Sequence, residues 1–338
     1  MEVAIREAVA KVLTDPTAPD WIAKIDLNPA LVGEHVLKQL EEVTKAQIRE
    51  EAETHIARGL LHLKNAFATD TEMPDSPTDF VPLPACRPVH TARLTVLAVN
   101  ALLGHAPVSY GSENDGHLFV NLVAMRGEGR IAEKSTKSMR GHTDAVSFPF
   151  PGQRDTAYQR IAPSPDVVCL VGMRNPQSVP TMIINLDEAL ELLNATDISE
   201  LEKLQFIIKC QGTFREGTAR ELGKEHQIDG VNVLANRGGG VYWTRFSHSG
   251  VAPSFSAPDA AENAIAKFEK ACSKVAQPVI IDGGDVLIID NRRMLHGRSE
   301  VGKEVGGRAR WLLRSYGLSA THIPNDSFHD GSLFKLWP

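Results

Sequence analysis

Cysteine is scarce in this chain: there are four in 338 residues. Cys86, Cys169, Cys210 and Cys272 lie far apart and form no C-x-x-C pair, which excludes a sequence-readable structural zinc site or disulfide framework and leaves them as expected buried thiols. No uncharged apolar run approaches the roughly 18 residues that a membrane-spanning helix needs. The opening stretch MEVAIREAVAKVLTDP does not have the charged-then-apolar layout of a secretory leader, so a cytoplasmic location is the expectation. Excess basic charge is missing as well. The net charge is −6, which gives no broad surface for nucleic acid or anionic membrane and favours a small-molecule partner. The three glycines at 238–240 sit in no Walker or dinucleotide spacing and are not a phosphate loop.

What remains is a chain with 42% apolar and 23% charged residues, enough to bury a sizeable core. Residues 1–66 read as helix, with Val36, Leu40 and Val43 at helical spacing in LVGEHVLKQLEEVTKAQIREEAETHIARGL. A proline-rich connection follows at 68–88, then a helix near 90–104. From there short β-branched runs bounded by Gly, Pro, Asn or Asp predict strands at 118–125, 167–174, 181–186, 206–214, 230–235, 241–246, 278–291 and 309–318. Helices are predicted near 187–205, with an internal break, and over PDAAENAIAKFEKACSKV. Many short strands without regular strand-helix alternation predict a mainly β protein with flanking helices, built on a double-stranded β-helix (jelly-roll) core. The division expected is a helical region and linker packed on the core at 1–84, and the jelly-roll core with helical insertions at 85–338.

The chemistry gathers in three places. In GHTDAVSFPF, His142 and Asp144 are two apart in a strand-like composition, so both side chains are expected on one face. His296 follows the apolar strand DVLIID and is expected just past its end. Two imidazoles and one carboxylate with open positions are the ligand set of non-heme Fe(II) oxygenases, although three protein ligands also suit catalytic zinc. Fourteen residues beyond His296 comes Arg310, in a strand expected beside the one carrying the histidine, where a guanidinium could fork onto a carboxylate. Arg314, four residues on, is expected on the same side.

GHTDAVSFP, NRRMLHGRS and RARWLLR resemble the metal and cosubstrate motifs of the Fe(II)/2-oxoglutarate-dependent dioxygenases of the TauD and clavaminate-synthase-like group, which includes hydroxylases of free amino acids in antibiotic pathways. The resemblance runs from about residue 85 to 318. It implies Fe(II) at His142, Asp144 and His296, and 2-oxoglutarate held by Arg310 and by the Thr181 hydroxyl. It also implies O2 as oxidant, succinate as product, and Arg314 as the partner of the substrate carboxylate. The implied reaction is hydroxylation or desaturation of an unactivated C–H of a small amino-acid-like substrate, and no catalytic group beyond the metal ligands is implied. Many relatives carry Glu where this chain has Asp144. A carboxylate at that position favours hydroxylation or desaturation over halogenation.

Glu113 and Asn114, with Asp115, are candidate partners of a substrate ammonium in a polar turn. Arg237, Tyr242, Trp243 and Arg245 are candidate pocket residues on a glycine-rich lid or hairpin. Arg292 is expected in a solvated turn, and the remaining histidines, His226 among them, at the surface. The N-terminal helices could cover the core or form a homo-oligomer contact. Two other readings stay open: a zinc-dependent hydrolase, and a non-catalytic barrel that binds a carboxylate.

Overall fold

The structure, a computed structural model, describes residues 1–69, 73–126 and 136–338. Helices α1 (Glu2–Thr14), α2 (Ala18–Lys24), α3 (Pro29–Leu37) and α4 (Glu42–Ile56) come first, then β1 (Leu60–Leu63) and α5 (Arg87–Leu102). Strands β2 (His105–Tyr110), β3 (Val120–Val123), β4 (Met139–His142), β5 (Val167–Arg174) and β6 (Thr181–Asn185) follow. Next are α6 (Leu186–Glu191), α7 (Ala195–Glu202), β7 (Phe206–Lys209) and α8 (Arg215–Leu222). Four short strands, β8 (Gln227–Val231), β9 (Leu234–Asn236), β10 (Tyr242–Thr244) and β11 (Val251–Pro253), precede α9 (Asp259–Val275). The chain ends with β12 (Gln277–Val279), β13 (Val286–Asp290), β14 (Met294–Arg298), β15 (Trp311–Ser319) and β16 (Lys335–Leu336).

Alternation along the strands decides how these elements stack. A large sheet runs β1-β13-β5-β15-β2-β16, with β3 also on β15, and a smaller one runs β12-β6-β14-β4. Val168 and Leu170 of β5, Leu287 and Ile289 of β13 and Leu312 and Tyr316 of β15 share one apolar cluster with Ile183 of β6 and Met294 of β14, so the two sheets face each other across it. The residues between them point the other way. Cys169, Val171, Ile288 and Leu313 pack under α1, α3, α4 and α5, while Ile184 and Leu295 pack under α6 and α9. The result is the expected jelly roll with helices on both outer faces. Its sheets face each other as separate ladders, not as a closed barrel.

Several local expectations change. Val36 and Val43 belong to different helices, and Val43 is exposed, because the chain turns at 38–41 once Val36 and Leu37 have packed into the helical layer. The predicted run 278–291 is two strands, β12 and β13, interrupted by the turn around Gly283 and Gly284. His296 lies inside β14, because the turn at 291–293 carries the chain across from the large sheet to the small one. Arg314 on β15, and Arg310 immediately before it, accordingly belong to the side of the large sheet opposite the histidine, not to a neighbouring strand. Among the described residues no helix is long and apolar enough to cross a membrane.

Gly297 sits where β4 and β14 run together, and a Cβ there would lie 2.5 Å from the Met139 carbonyl oxygen. A backbone atom cannot rotate out of the way. Gly297→Ala is expected to destabilise the fold by about 1–3 kcal/mol, as overpacking does, measured by urea or thermal unfolding. An unchanged midpoint would contradict this close approach.

Candidate active site

Burying a Leu or Val side chain contributes about 1.5–3 kcal/mol, whereas an ionised group in the same space costs stability unless it is paired. The space between the sheets nonetheless holds His142, Asp144, His296, Arg310 and Arg314, of which the first four are at most 6% exposed. Met294 and His296 share a face of β14, so the alternation that buries Met294 also turns His296 inward. His142 ends β4 and is the register partner of His296. Asp144 does not share a strand with His142 as expected: the strand stops at His142 and Asp144 opens a turn whose next residue, Ala145, has φ +52°.

In that arrangement the three side chains converge. Each of His142, Asp144 and His296 offers a ligand atom within 4.8 Å of the others. His142 Nε2 is 3.4 Å from Asp144 Oδ1 and His296 Nε2 is 3.6 Å from Asp144 Oδ2. His142 Nδ1 lies 3.1 Å from the Arg140 carbonyl oxygen. A carbonyl only accepts, so Nδ1 carries the proton and the Nε2 lone pair faces the centre. Burial, then the neighbouring His142, lowers the pKa of His296 and favours the neutral imidazole that a metal ligand requires. Burial resists ionisation of Asp144, but His296, His142 and Arg314 outweigh it and hold the carboxyl well below its usual range. Asp144 Oδ2 is buried with no hydrogen-bond donor among the described residues.

Two residues outside the predicted set hold Asp144. Asn291 accepts the Asp144 backbone N–H at 2.8 Å and donates to its carbonyl at 3.1 Å, and Gln211 donates to Asp144 Oδ1 at 3.1 Å. Asn291 stood inside the quoted NRRMLHGRS motif, whereas nothing local in the sequence marks Gln211. It follows β7, 67 positions from its partner.

The arginines behave differently from each other. Arg310 is buried and pairs with no carboxylate among the described residues; burial, with Arg298 nearby, pushes its pKa down to about 9. Thr181 is also buried and stands opposite Arg298 across β6 and β14. Arg314 instead donates to Glu113 Oε2 at 2.7 Å, and Glu113 also accepts from the Tyr316 hydroxyl at 3.0 Å and the Thr213 hydroxyl at 2.7 Å. Asn114 is half-buried in a groove beside Glu113, together with Phe80, Ser112, Thr213 and Arg220.

The other candidates are occupied elsewhere. The glycine-rich stretch is a hairpin, β9 to β10, with Gly238, Gly239 and Gly240 all at positive φ. Arg245 is buried and donates to Asn232, while Arg237 covers the Trp243 ring at 4.1 Å. Arg292 is not solvated: it is buried and donates to Ser164 and Asp166. His226 is not at the surface either, because both ring nitrogens are engaged, by Ser147 at 2.9 Å and Asp155 at 3.0 Å.

Comparison with known proteins decides the family. The model described as "Taurine catabolism dioxygenase TauD, TfdA family" matches residues 98–316. The chain belongs to the TauD/TfdA dioxygenase family. This TauD-family enzyme is 24% identical to clavaminate synthase 2 of Streptomyces clavuligerus over 264 residues, 76% of this chain and 73% of that protein. It is also 24% identical to the L-lysine 3-hydroxylase of Catenulispora acidiphila over 324 residues, 93% of this chain and 81% of that one. Among solved structures, an asparagine oxygenase in complex with Fe(II), 3-hydroxyasparagine and succinate superposes with a TM-score of 0.77 at 16% identity, covering 100% of this chain and 97% of that one. The iron oxygenase OrfP with Fe, succinate and (3S)-hydroxy-L-Arg gives 0.71 at 20% identity, covering 94% and 92%.

A TauD-family dioxygenase uses Fe(II), 2-oxoglutarate and O2. The residues of this chain fit that set. Two inward imidazoles and a buried carboxylate oxygen without a donor suit a divalent cation, and an unpaired buried guanidinium suits a dicarboxylate.

An unpaired buried cation destabilises the ligand-free protein. Arg310→Met is therefore expected to stabilise the cosubstrate-free fold by about 1–2 kcal/mol, while abolishing the protection that 2-oxoglutarate gives the wild type in thermal unfolding. A less stable variant would contradict the absence of a carboxylate partner for Arg310 among the described residues.

Proposed function

We propose that the enzyme hydroxylates an unactivated C–H of a small free α-amino acid or close derivative, with decarboxylation of 2-oxoglutarate to succinate. His142, Asp144 and His296 would hold Fe(II), and Arg310 with Thr181 would hold the far carboxylate of 2-oxoglutarate. The metal, when bound, supplies O2 activation, and the balance is R–H + 2-oxoglutarate + O2 → R–OH + succinate + CO2. The observation that carries the reading is the convergence of the three donors within 4.8 Å in a space that also buries an unpaired guanidinium. A zinc hydrolase has no use for Arg310, and a simple carboxylate binder has none for the triad.

The amino-acid part of the reading rests on Arg314 and Glu113. They form a buried pair with opposite charges side by side, and a zwitterion carries the complementary charges on one carbon. The substrate carboxylate would take the Arg314 guanidinium and the ammonium would take Glu113. Tyr316 and Thr213 hold Glu113 in place for this, and Asn114 borders the groove along which the rest of the substrate would lie. The L-lysine 3-hydroxylase and both structures named above carry amino acids or hydroxylated amino acids in their descriptions, which supports the substrate class. The protein's part in the chemistry is to fix one C–H bond and keep water out between the sheets. The division at residue 84/85 into a helical cover and an oxygenase core is also our reading; the family match begins at 98, and β1 reaches across to pair with β13.

The test is succinate formation from 2-oxoglutarate with Fe(II) and ascorbate against a panel of amino acids. At least one free α-amino acid should stimulate turnover by tenfold or more. Asp144→Ala should abolish it, and Arg314→Ala should raise the amino-acid KM by roughly 30-fold or more, since truncating one partner of a buried charge pair costs about 2–5 kcal/mol. Failure of every amino acid to stimulate turnover would overturn the substrate class.

A further inference from the structure

We propose that Gln211 is a positioning residue that presents Asp144 to the metal through one oxygen only; this rests on the reading of His142, Asp144 and His296 as metal ligands. The two oxygens of Asp144 have different surroundings. Each oxygen faces one imidazole, Oδ1 at 3.4 Å from His142 Nε2 and Oδ2 at 3.6 Å from His296 Nε2, but only Oδ1 accepts an amide N–H, from Gln211 at 3.1 Å, whereas Oδ2 is buried with no donor among the described residues. The orientation of the Gln211 amide is not free. Its Oε1 accepts the Ala145 backbone N–H at 2.7 Å, so the nitrogen end must face the carboxylate. Gln211 thus spans two consecutive residues of the turn, the ligand and Ala145, whose positive φ is unfavourable for a side chain with a Cβ.

The frame around Gln211 is firm. The next backbone turn donates Phe214 N–H to the Gln211 carbonyl at 3.0 Å, and Cys210 N–H donates to the His226 carbonyl at 3.0 Å. The consequence concerns coordination positions. A metal in this reaction needs three protein ligands and three open positions, for two cosubstrate atoms and O2. A carboxylate with both oxygens free can chelate and take one of those positions. By hydrogen-bonding Oδ1 and fixing the plane of the carboxylate, Gln211 would favour binding of the metal through Oδ2 alone.

Co(II) binding to the metal-free full chain tests this without turnover. In Gln211→Met, which keeps length and loses the amide, the Co(II) dissociation constant should rise about 10–100-fold, the usual effect of removing a group that orients a ligand. The unfolding midpoint of the metal-free protein should fall only by what the lost acceptor for the Ala145 N–H costs. With Co(II) saturating, 2-oxoglutarate should bind at least fivefold more weakly, which a merely structural role would not produce. Gln211→Asn, too short to reach both Asp144 and Ala145, should show the same direction with a smaller rise, and carries the comparison if the methionine variant does not fold. Co(II) and 2-oxoglutarate affinities within twofold of wild type would overturn the proposal alone. A wild type that binds no Co(II) would overturn the metal-site reading and this proposal with it.

Discussion

The structure depends on one constraint: opposite charges are gathered in the apolar space between two β-sheets. Each buried charge there has to be answered. Arg314 is answered by Glu113, and the ionised Asp144 by nearby Arg314 and by the Gln211 amide. Arg310 and Asp144 Oδ2 are not answered by any group among the described residues. A buried carboxylate oxygen without a donor and a buried guanidinium without a carboxylate are tolerable where a cation and a dicarboxylate complete them, and the family uses Fe(II) and 2-oxoglutarate.

Strand periodicity is the device that builds the enclosure. The two-residue repeat that buries Leu312 and Tyr316 also turns Arg314 inward, and the repeat that buries Met294 turns His296 inward to meet it from the opposite sheet. Helices cover both outer faces, and the charged groups that face the triad lie in the middle layer between the sheets. Asp144 is the exception to strand placement. It sits on a turn, which Asn291 fixes through the backbone and Gln211 through the carboxylate.

Much of this was legible from residue order. The jelly-roll core and the helical flanks follow from alternation and β-branched runs, and the triad with its downstream arginine was singled out by the H-x-D, H-G-R and R-x-x-x-R motifs, although Asp144 proves to stand on a turn and not on the His142 strand. Less visible was which sheet each strand joins. Arg310 was expected beside His296 because they are close in sequence, yet the turn at 291–293 sends β14 to the small sheet while β15 belongs to the large one. Sheet partnership is set by long-range packing, which local pattern does not encode. The same limit hid Gln211, and also the burial of His226 and Arg292, because their partners lie 67–128 positions away. The turn SENDG marks Glu113 as a candidate for an ammonium, but nothing in the turn itself signals its ion pair with Arg314, 201 positions on.

The central claim is that His142, Asp144 and His296 bind a single iron and that Arg310 holds the far end of 2-oxoglutarate beside it. Anomalous diffraction at the iron edge, from crystals grown without oxygen in the presence of Fe(II) and 2-oxoglutarate, tests it most directly. One peak within bonding distance of His142 Nε2, Asp144 Oδ2 and His296 Nε2, with the C5 carboxylate against the Arg310 guanidinium, is the expected result. Iron bound elsewhere, or a cosubstrate carboxylate paired with Arg314 while Arg310 stays unpaired, would contradict it.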